Sequence, residues 1–204
     1  MLTELKKSIA AGAMIGIGCT VYLSCENKVV GAILFSVGLF AICSFGMFLF
    51  TGKIGYVLSN KNKPNCAVIW LGNFIGSIIV SVAVRLARPE IHTIAAEVAA
   101  KKASINVFAL MILSFLCGIL MYIAVDNFGK HPHEISGIIG IVFCVSVFIL
   151  CGFEHSIADM NYFTMGIQSI SELPRYLLVL VIISIFNGLG AITIRQFVKE
   201  KEQK

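Results

Sequence analysis

The sequence predicts an all-helical membrane protein with six transmembrane helices in two inverted repeats of three helices each. Its 204 residues are 58% hydrophobic and only 13% charged, and the mean hydropathy is +0.91. The charged fraction is about half that of a soluble domain. Apolar runs of about the 20 residues that a spanning helix needs alternate with short polar breaks. No stretch is long enough for a soluble domain, so we predict one membrane domain over residues 1–204.

The first repeat is predicted over about residues 8–84, with apolar runs at 8–24, 29–50 and 67–84. The first run lacks a small-residue cleavage pattern and a second run follows at once, so we interpret it as a helix and not a signal peptide. The second run is broken at 49–53, and backbone freed from a helix at membrane depth must line a cavity or be covered by protein. The alternative is that this helix ends at Phe50 and Lys53 lies in a loop. A polar turn is predicted at 60–65.

The second repeat is predicted over about residues 105–194, with apolar runs at 105–125, 135–153, 156–170 and 174–194. A polar turn is predicted at 126–134 and a solvated charged tail at 195–204. Between the repeats, residues 85–104 carry Ile and Ala at helical spacing among charged residues, which predicts a short amphipathic helix. Asn73 and Asn187, each followed three residues later by Gly, occupy the third helix of their repeats and can bond across helices.

Charged residues interrupt the fifth helix, because Glu154, His155 and Asp159 follow its apolar run directly. Ionisable groups at membrane depth cost about 2.5–3.5 kcal/mol each and usually mark a pathway for ions, protons or substrate. The alternative is that the helix ends at the membrane surface, where these groups are hydrated. Broken helices at matching places in two inverted repeats favour the pathway, because they meet near the midplane.

The sequence lacks the motifs that mark several functional classes, which excludes those classes. The seven cysteines are scattered singly, and motifs of hydrolases, nucleotide-binding proteins and metalloproteases are missing. His131 and His133 lack the carboxylate or cysteine framework of a metal site. We therefore predict no enzyme, no cofactor and no bound metal.

The distribution of charge bears on location. The net charge of +5 lies mainly in loops and tails, which indicates membrane orientation and not nucleic-acid binding. Both termini are predicted to be cytoplasmic, because that places most of the basic residues inside. The predicted location is a cell membrane of the bacterial inner-membrane type, crossed several times.

Three motifs carry a resemblance to a known family: Leu-Phe-Thr-Gly at 49–52, Leu-Gly-Asn at 71–73 and Gly-Phe-Glu-His-Ser at 152–156. In this order and on these helices, the chain resembles the formate/nitrite transporter family over nearly its whole length. The resemblance implies an aquaporin-like protomer in a homopentamer, with a separate pore in each subunit. The implied substrates are small monovalent anions or their conjugate acids: formate, nitrite or hydrosulfide, and in some members acetate or lactate.

The resemblance also assigns site residues. The pore histidine corresponds to His155, preceded by Glu154, the threonine of the interrupted loop to Thr51, and the lysine ahead of the fourth helix to Lys102, with Lys101 as the neighbouring alternative. Two hydrophobic constrictions are implied, with Phe35 and Phe148 on one side and Leu39, Leu49 and Phe50 on the other. Four departures from the family pattern bear on substrate preference and pH response: Phe48, Lys53, Gly118 and Asp159.

A mechanism follows from the cost of moving charge. A bare anion cannot cross rings of Phe and Leu cheaply, so it must be paired or neutralised. We expect Lys102 to raise the local anion concentration and His155, near Thr51, to donate a proton or a polar contact, which links transport to pH. Two alternatives remain: a channel for neutral solutes such as water or ammonia, and a non-transporting assembly or sensor subunit.

Overall fold

The computed structural model describes residues 1–59 and 63–198, which fold into α-helices and short turns without any strand. Nine α-helices occur in these ranges: α1 (Leu2–Ser24), α2 (Lys28–Ser44), α3 (Phe50–Lys53), α4 (Cys66–Ala87), α5 (Pro89–Ala103), α6 (Val107–Lys130), α7 (Ile135–Leu150), α8 (Ser156–Gly166) and α9 (Leu173–Val198). The prediction of an all-helical protein is confirmed.

Four of these helices are long and apolar enough to cross a membrane, by length and composition: α1, α4, α6, and α9 together with the 3-10 turn before it. The helices α2 and α7 are also apolar but have only 17 and 16 residues. Each is followed by a non-helical segment and then by a shorter helix, α3 or α8.

Two helices end earlier than the sequence pattern predicted. α2 stops at Ser44 and not near Phe50, and α7 stops at Leu150 and not at Phe153. In both cases a glycine with positive φ follows, Gly46 at 59° and Gly152 at 67°. The next amide reaches back to a helix carbonyl, at 2.9 Å in both segments. This is the Schellman arrangement, which ends a helix where only glycine adopts the left-handed backbone easily.

Two predictions about polar segments, the turn at 126–134 and the tail at 195–204, were wrong at their first residues. The predicted turn at 126–134 begins only after Lys130, and Asp126 lies inside α6, where its carboxylate accepts a hydrogen bond from Tyr56 Oη at 2.7 Å. Arg195, assigned to the solvated tail, belongs to α9, is 6% exposed and lies 5.1 Å from the centre of the Tyr56 ring. Residues 60–62 of the predicted polar turn and 199–204 of the tail lie outside the described residues.

The amphipathic helix predicted within residues 85–104 forms as α5 and packs on α8. The contact is close at Gly166, where an added Cβ would lie 2.6 Å from the backbone of Ala95. His92 Nδ1 lies 2.7 Å from the carbonyl oxygen of Met165. These contacts hold the first half of α5 against the C-terminal end of α8. Near the other end of α5, Lys102 contacts Asp159 in the first turn of α8.

Close helix pairs form the same way in both halves of the chain. α1 packs on α4 at Gly76, whose added Cβ would lie 2.0 Å from the carbonyl oxygen of Ile9. α6 packs on α9 at Gly190, whose added Cβ would lie 2.0 Å from the carbonyl oxygen of Phe115. Small residues let helix backbones approach this closely.

We predict that Gly190→Ala destabilises the protein by about 1–3 kcal/mol, because the new methyl group forces α9 away from α6. Thermal unfolding of the purified protein in detergent would measure the effect. The control is Gly129→Ala, since nothing lies within 4 Å of a Cβ at that position. An equal melting temperature for the two variants would show that the α6–α9 contact is not tight.

Candidate functional site

The non-helical segment between α2 and α3, residues 45–49, is the first break, and Asn73 of α4 holds it in place. Its Oδ1 accepts a hydrogen bond from the Phe50 amide at 2.8 Å, while its Nδ2 donates to the carbonyl oxygens of Phe48 at 2.9 Å and Ser8 at 2.7 Å. The amide side chain is fully buried. Backbone groups released by the break are thereby paired, as a low-dielectric environment requires.

The non-helical segment between α7 and α8, residues 151–155, is the second break, and Asn187 of α9 holds it through three equivalent hydrogen bonds. Its Oδ1 accepts from the Ser156 amide at 2.9 Å, and its Nδ2 donates to the carbonyl oxygens of Glu154 at 2.8 Å and Ser114 at 2.7 Å. The three partners of Asn187 follow the three corresponding partners of Asn73 in the sequence, each by the same number of residues. The two breaks are therefore built on one pattern.

His155 joins the two breaks. Its Nε2 lies 2.8 Å from Thr51 Oγ1, and its Nδ1 accepts a hydrogen bond from the Ala158 amide at 3.0 Å, so the imidazole caps the N-terminus of α8. Both side chains are buried, Thr51 at 0% and His155 at 1% exposure. A nitrogen that accepts from a backbone N–H carries no proton, so in the neutral ring the proton is on Nε2 and is donated to Thr51. The threonine hydroxyl then retains its own hydrogen to donate.

Lys102 from α5 is paired with two carboxylates. Its Nζ lies 2.7 Å from Glu154 Oε2 and 2.9 Å from Asp159 Oδ1. The carboxylates are 2% and 0% exposed, and the lysine side chain is 17% exposed. The ammonium also lies 5.6 Å from the centre of the Tyr162 ring.

The aromatic residues assigned to one constriction contact each other and the histidine. Phe35 and Phe148 meet edge to face with ring centres 5.9 Å apart, and Phe148 stacks on His155 at 5.5 Å. The residues assigned to the other constriction, Leu39, Leu49 and Phe50, are buried, the largest exposure being 8% at Phe50.

Two cavities are lined in part by these residues. The Lys102 cavity, of about 360 Å³, is lined by Lys101, Lys102, Phe148, Glu154, His155 and Asp159 among others. The Lys53 cavity, of about 180 Å³, is lined by Leu49, Gly52, Lys53 and Tyr56 among others. They share no lining residue, and Thr51, which belongs to neither, follows Phe50 and precedes Gly52. Because His155 lines the Lys102 cavity and Gly52, next to Thr51, lines the Lys53 cavity, the Thr51–His155 hydrogen bond links the walls of the two cavities.

The predicted site residues are thus brought together, and one important residue was missed. Asp159 was noted only as a charge at membrane depth and a departure from the family pattern, whereas it contacts Lys102 directly. The signal was the spacing of Glu154 and Asp159 around a helix start. This spacing indicates a contact with Lys102 only when it is known that α5 packs on α8. Lys101, the alternative to Lys102, is exposed and lies on the cavity wall.

A sequence model of the family described as "Formate/nitrite transporter" matches residues 2–199. The chain belongs to the formate/nitrite transporter family. The resemblance seen in the three motifs is thereby confirmed, and the chain is a multi-pass membrane protein. In agreement with the sequence prediction, its named relatives are channels and transporters and not enzymes.

Two curated relatives show how far the similarity extends. The formate channel FocA of Haemophilus influenzae is 26% identical over 188 residues, and the nitrite transporter NirC of Escherichia coli is 27% identical over 180 residues. Both alignments cover 78% of this chain but only 64% and 66% of those proteins, which is less than two thirds of their length.

Solved structures share the fold. A structure described as an FNT family ion channel matches with a TM-score of 0.84 at 24% identity, covering 95% of this chain and 87% of that one. A pentameric formate channel with formate bound matches with a TM-score of 0.79 at 20% identity, covering 97% and 96%.

We predict that His155 at neutral pH is the tautomer with its proton on Nε2, because the Ala158 amide occupies Nδ1. Nitrogen-15 NMR of histidine-labelled protein in lipid would show this, with a His155→Asn variant to assign the signal. Thr51→Val should shift the Nε2 resonance, since its acceptor is lost, while Thr51→Ser restores it. A proton found on Nδ1 would contradict the capping geometry.

Proposed function

We propose that this chain forms a channel or transporter for small monovalent anions or their conjugate acids, with formate, nitrite or hydrosulfide as substrate. The observation that carries the proposal is the buried Thr51–His155 hydrogen bond that links the walls of two cavities. A polar contact placed between apolar constrictions suits a small polar solute that must shed water. The names of the relatives support the same class of substrate.

The proposed role of His155 is that of a fixed hydrogen-bond donor. Sequence reasoning left open whether the imidazole donates a proton or a polar contact, and the geometry favours the polar contact. Protonation of Nδ1 would break the bond from Ala158 and uncap α8. The hydroxyl of Thr51, the Nε2–H of His155 and the positive end of α8 together offer a partial positive charge to a passing anion.

Lys102 is proposed to set the electrostatics of its cavity together with Glu154 and Asp159. Because the ammonium is already paired twice, it is not a free binding group for anions. Lys101 at the exposed wall is the better candidate for attracting anions from solution, while Lys102 prevents an excess of buried negative charge from repelling them.

The proposed architecture is a single domain of six spans, with repeat one at about 8–84 and repeat two at about 105–194. In this arrangement α2 with α3, and α7 with α8, serve as broken spans beside the four long helices. The matched bonds of Asn73 and Asn187 and the matched contacts of Gly76 and Gly190 support two equivalent halves. An odd number of spans in each half makes the repeats inverted.

The proposed orientation places both termini in the cytoplasm, with the Lys53 cavity facing inward. Several basic residues gather near this cavity: Lys7 and Lys53 both lie over the Phe48 ring, and Lys130 pairs with Asp126 at 3.0 Å. Positive charge at one mouth agrees with the positive-inside rule. The Lys102 cavity then faces outward.

A homopentamer with one pore in each subunit is the proposed assembly. The support is the likeness of the whole fold to a structure described as a pentameric formate channel. Many large apolar side chains on the outer faces of the helices are exposed in the single chain, which leaves surface for both lipid and neighbouring subunits.

The function is tested by flux into proteoliposomes loaded with the purified protein, using formate, nitrite and hydrosulfide at two pH values. We expect saturable uptake of at least one of these anions above that of empty liposomes. Water or ammonia permeability without anion uptake would favour the neutral-solute channel. A pentamer with neither activity would favour the non-transporting subunit.

Lys102→Ala is expected to reduce anion uptake by about tenfold or more, because it leaves two buried carboxylates without a counter-charge. Lys101→Ala is the matched control on the next residue. Its effect should be smaller and should disappear at moderate salt, since an exposed charge is screened beyond about 8–10 Å. Equal, salt-sensitive losses in both variants would contradict the separate roles.

Phe148→Ala is expected to raise the uptake of formate and to admit larger carboxylates such as lactate, if this ring closes the pathway. As a core residue alone, its loss would instead reduce stability by about 3–5 kcal/mol and leave selectivity unchanged. The formate-to-lactate flux ratio and the melting temperature, measured on one preparation, separate the two roles. A destabilised variant with an unchanged ratio would remove Phe148 from the constriction.

A further inference from the structure

The charges around Lys102 do not balance. One ammonium faces two carboxylates, Glu154 and Asp159, within 3 Å. With all three ionised, the cluster carries a net charge of −1 in a buried position beside a cavity proposed to admit anions. An uncompensated buried charge is unfavourable, and a group in this situation takes up a proton instead.

The geometry provides a place for that proton. Glu154 Oε2 and Asp159 Oδ1 lie 2.7 and 2.9 Å from the same Lys102 Nζ. Asp159 is fully buried, and its Oδ2 has no hydrogen-bond partner in the described part of the chain. A proton on Asp159 would remove the excess negative charge and leave Lys102 paired with the Glu154 carboxylate.

The other ionisable groups near Asp159 do not supply the missing positive charge. They are Cys19 of α1, Cys117 of α6, Tyr162 of α8 and His155 of the segment before α8, together with Tyr22 and Lys101, which line the same cavity. Lys101 is exposed on the cavity wall, and the ammonium paired with Asp159 is that of Lys102. Thiols and phenols are neutral at pH 7, and the imidazole is a neutral donor by its bonds. Lys102 is therefore the cation of this cluster.

We propose that Asp159, which shares the Lys102 ammonium with Glu154, is a proton-binding site that holds a proton at neutral pH and sets the charge of the Lys102 cavity. The proton comes from a hydronium ion in the cavity, so one O–H bond of hydronium breaks as the carboxyl O–H bond forms, and the reverse step returns the proton to water. With the proton bound, the cluster is neutral. When the proton is lost as pH rises, the net charge becomes −1 and the cavity repels anions, so the site favours anion uptake at low pH.

The proton is tested directly by infrared spectroscopy of the full-length protein in liposomes, in light and heavy water. Wild type is expected to show the C=O band of a protonated carboxylic acid. Asp159→Asn and Glu154→Gln should each abolish it, because a single carboxylate stays ionised against Lys102. Glu97→Gln on the exposed face of α5 is the control and should keep the band. A band absent from wild type, or present in both site variants, would overturn the proposal.

The effect on transport, which rests on the proposed function, is tested by formate uptake. At each pH, the formate uptake of Asp159→Asn is divided by that of wild type. This ratio cancels the change in the fraction of undissociated formic acid, which is the same for both proteins. We expect a ratio near one in acid and about tenfold or more in alkali, where only wild type gains the repelling charge. A ratio that does not change with pH would refute this effect. The infrared band without any anion flux would refute the proposed function and leave the proton site supported.

Discussion

The hydrogen bonding of buried backbone amides and carbonyls in the two breaks, after α2 and after α7, is the constraint on which the rest of the structure depends. Each interruption frees amide and carbonyl groups inside the bundle, where no water compensates them. One asparagine on a neighbouring helix pairs three such groups in each half, Asn73 in the first and Asn187 in the second. A side chain with both donor and acceptor atoms at one end is needed, so a carboxylate of the same size would leave two carbonyls unpaired.

The two breaks have equivalent backbone arrangements but carry different side chains. The positions of Glu154, His155 and Asp159 in the second break correspond to Phe48, Leu49 and Lys53 in the first, at one common sequence separation. The second break therefore presents carboxylates and an imidazole to its cavity, whereas the first presents an apolar wall and an ammonium over an aromatic ring. The polar groups proposed to contact the substrate come mainly from one half, and the first half contributes Thr51.

Local patterns were enough for some features of this protein and not for others. The apolar runs placed the long helices. Short motifs contained Thr51 and His155, and the family resemblance that these motifs carry assigned Lys102 to the same site, with Lys101 as the alternative. The ends of α2 and α7 were missed, since Gly46 and Gly152 differ from other glycines only in backbone conformation. The contact of Asp159 with Lys102 and the burial of Arg195 depend on how distant helices cross, which no local pattern encodes.

The double pairing of Lys102 has a consequence for conduction. A pathway must bind its substrate well enough to admit it and weakly enough to release it. An unpaired ammonium in a buried cavity would hold a small anion strongly, because little water screens the attraction. Two carboxylates at 2.7 and 2.9 Å occupy the lysine, so under the proposed function an anion would meet a nearly balanced cluster before the weaker donors of Thr51 and His155. Asp159 thus limits how strongly the cavity retains anions, and its protonation determines how strongly it repels them.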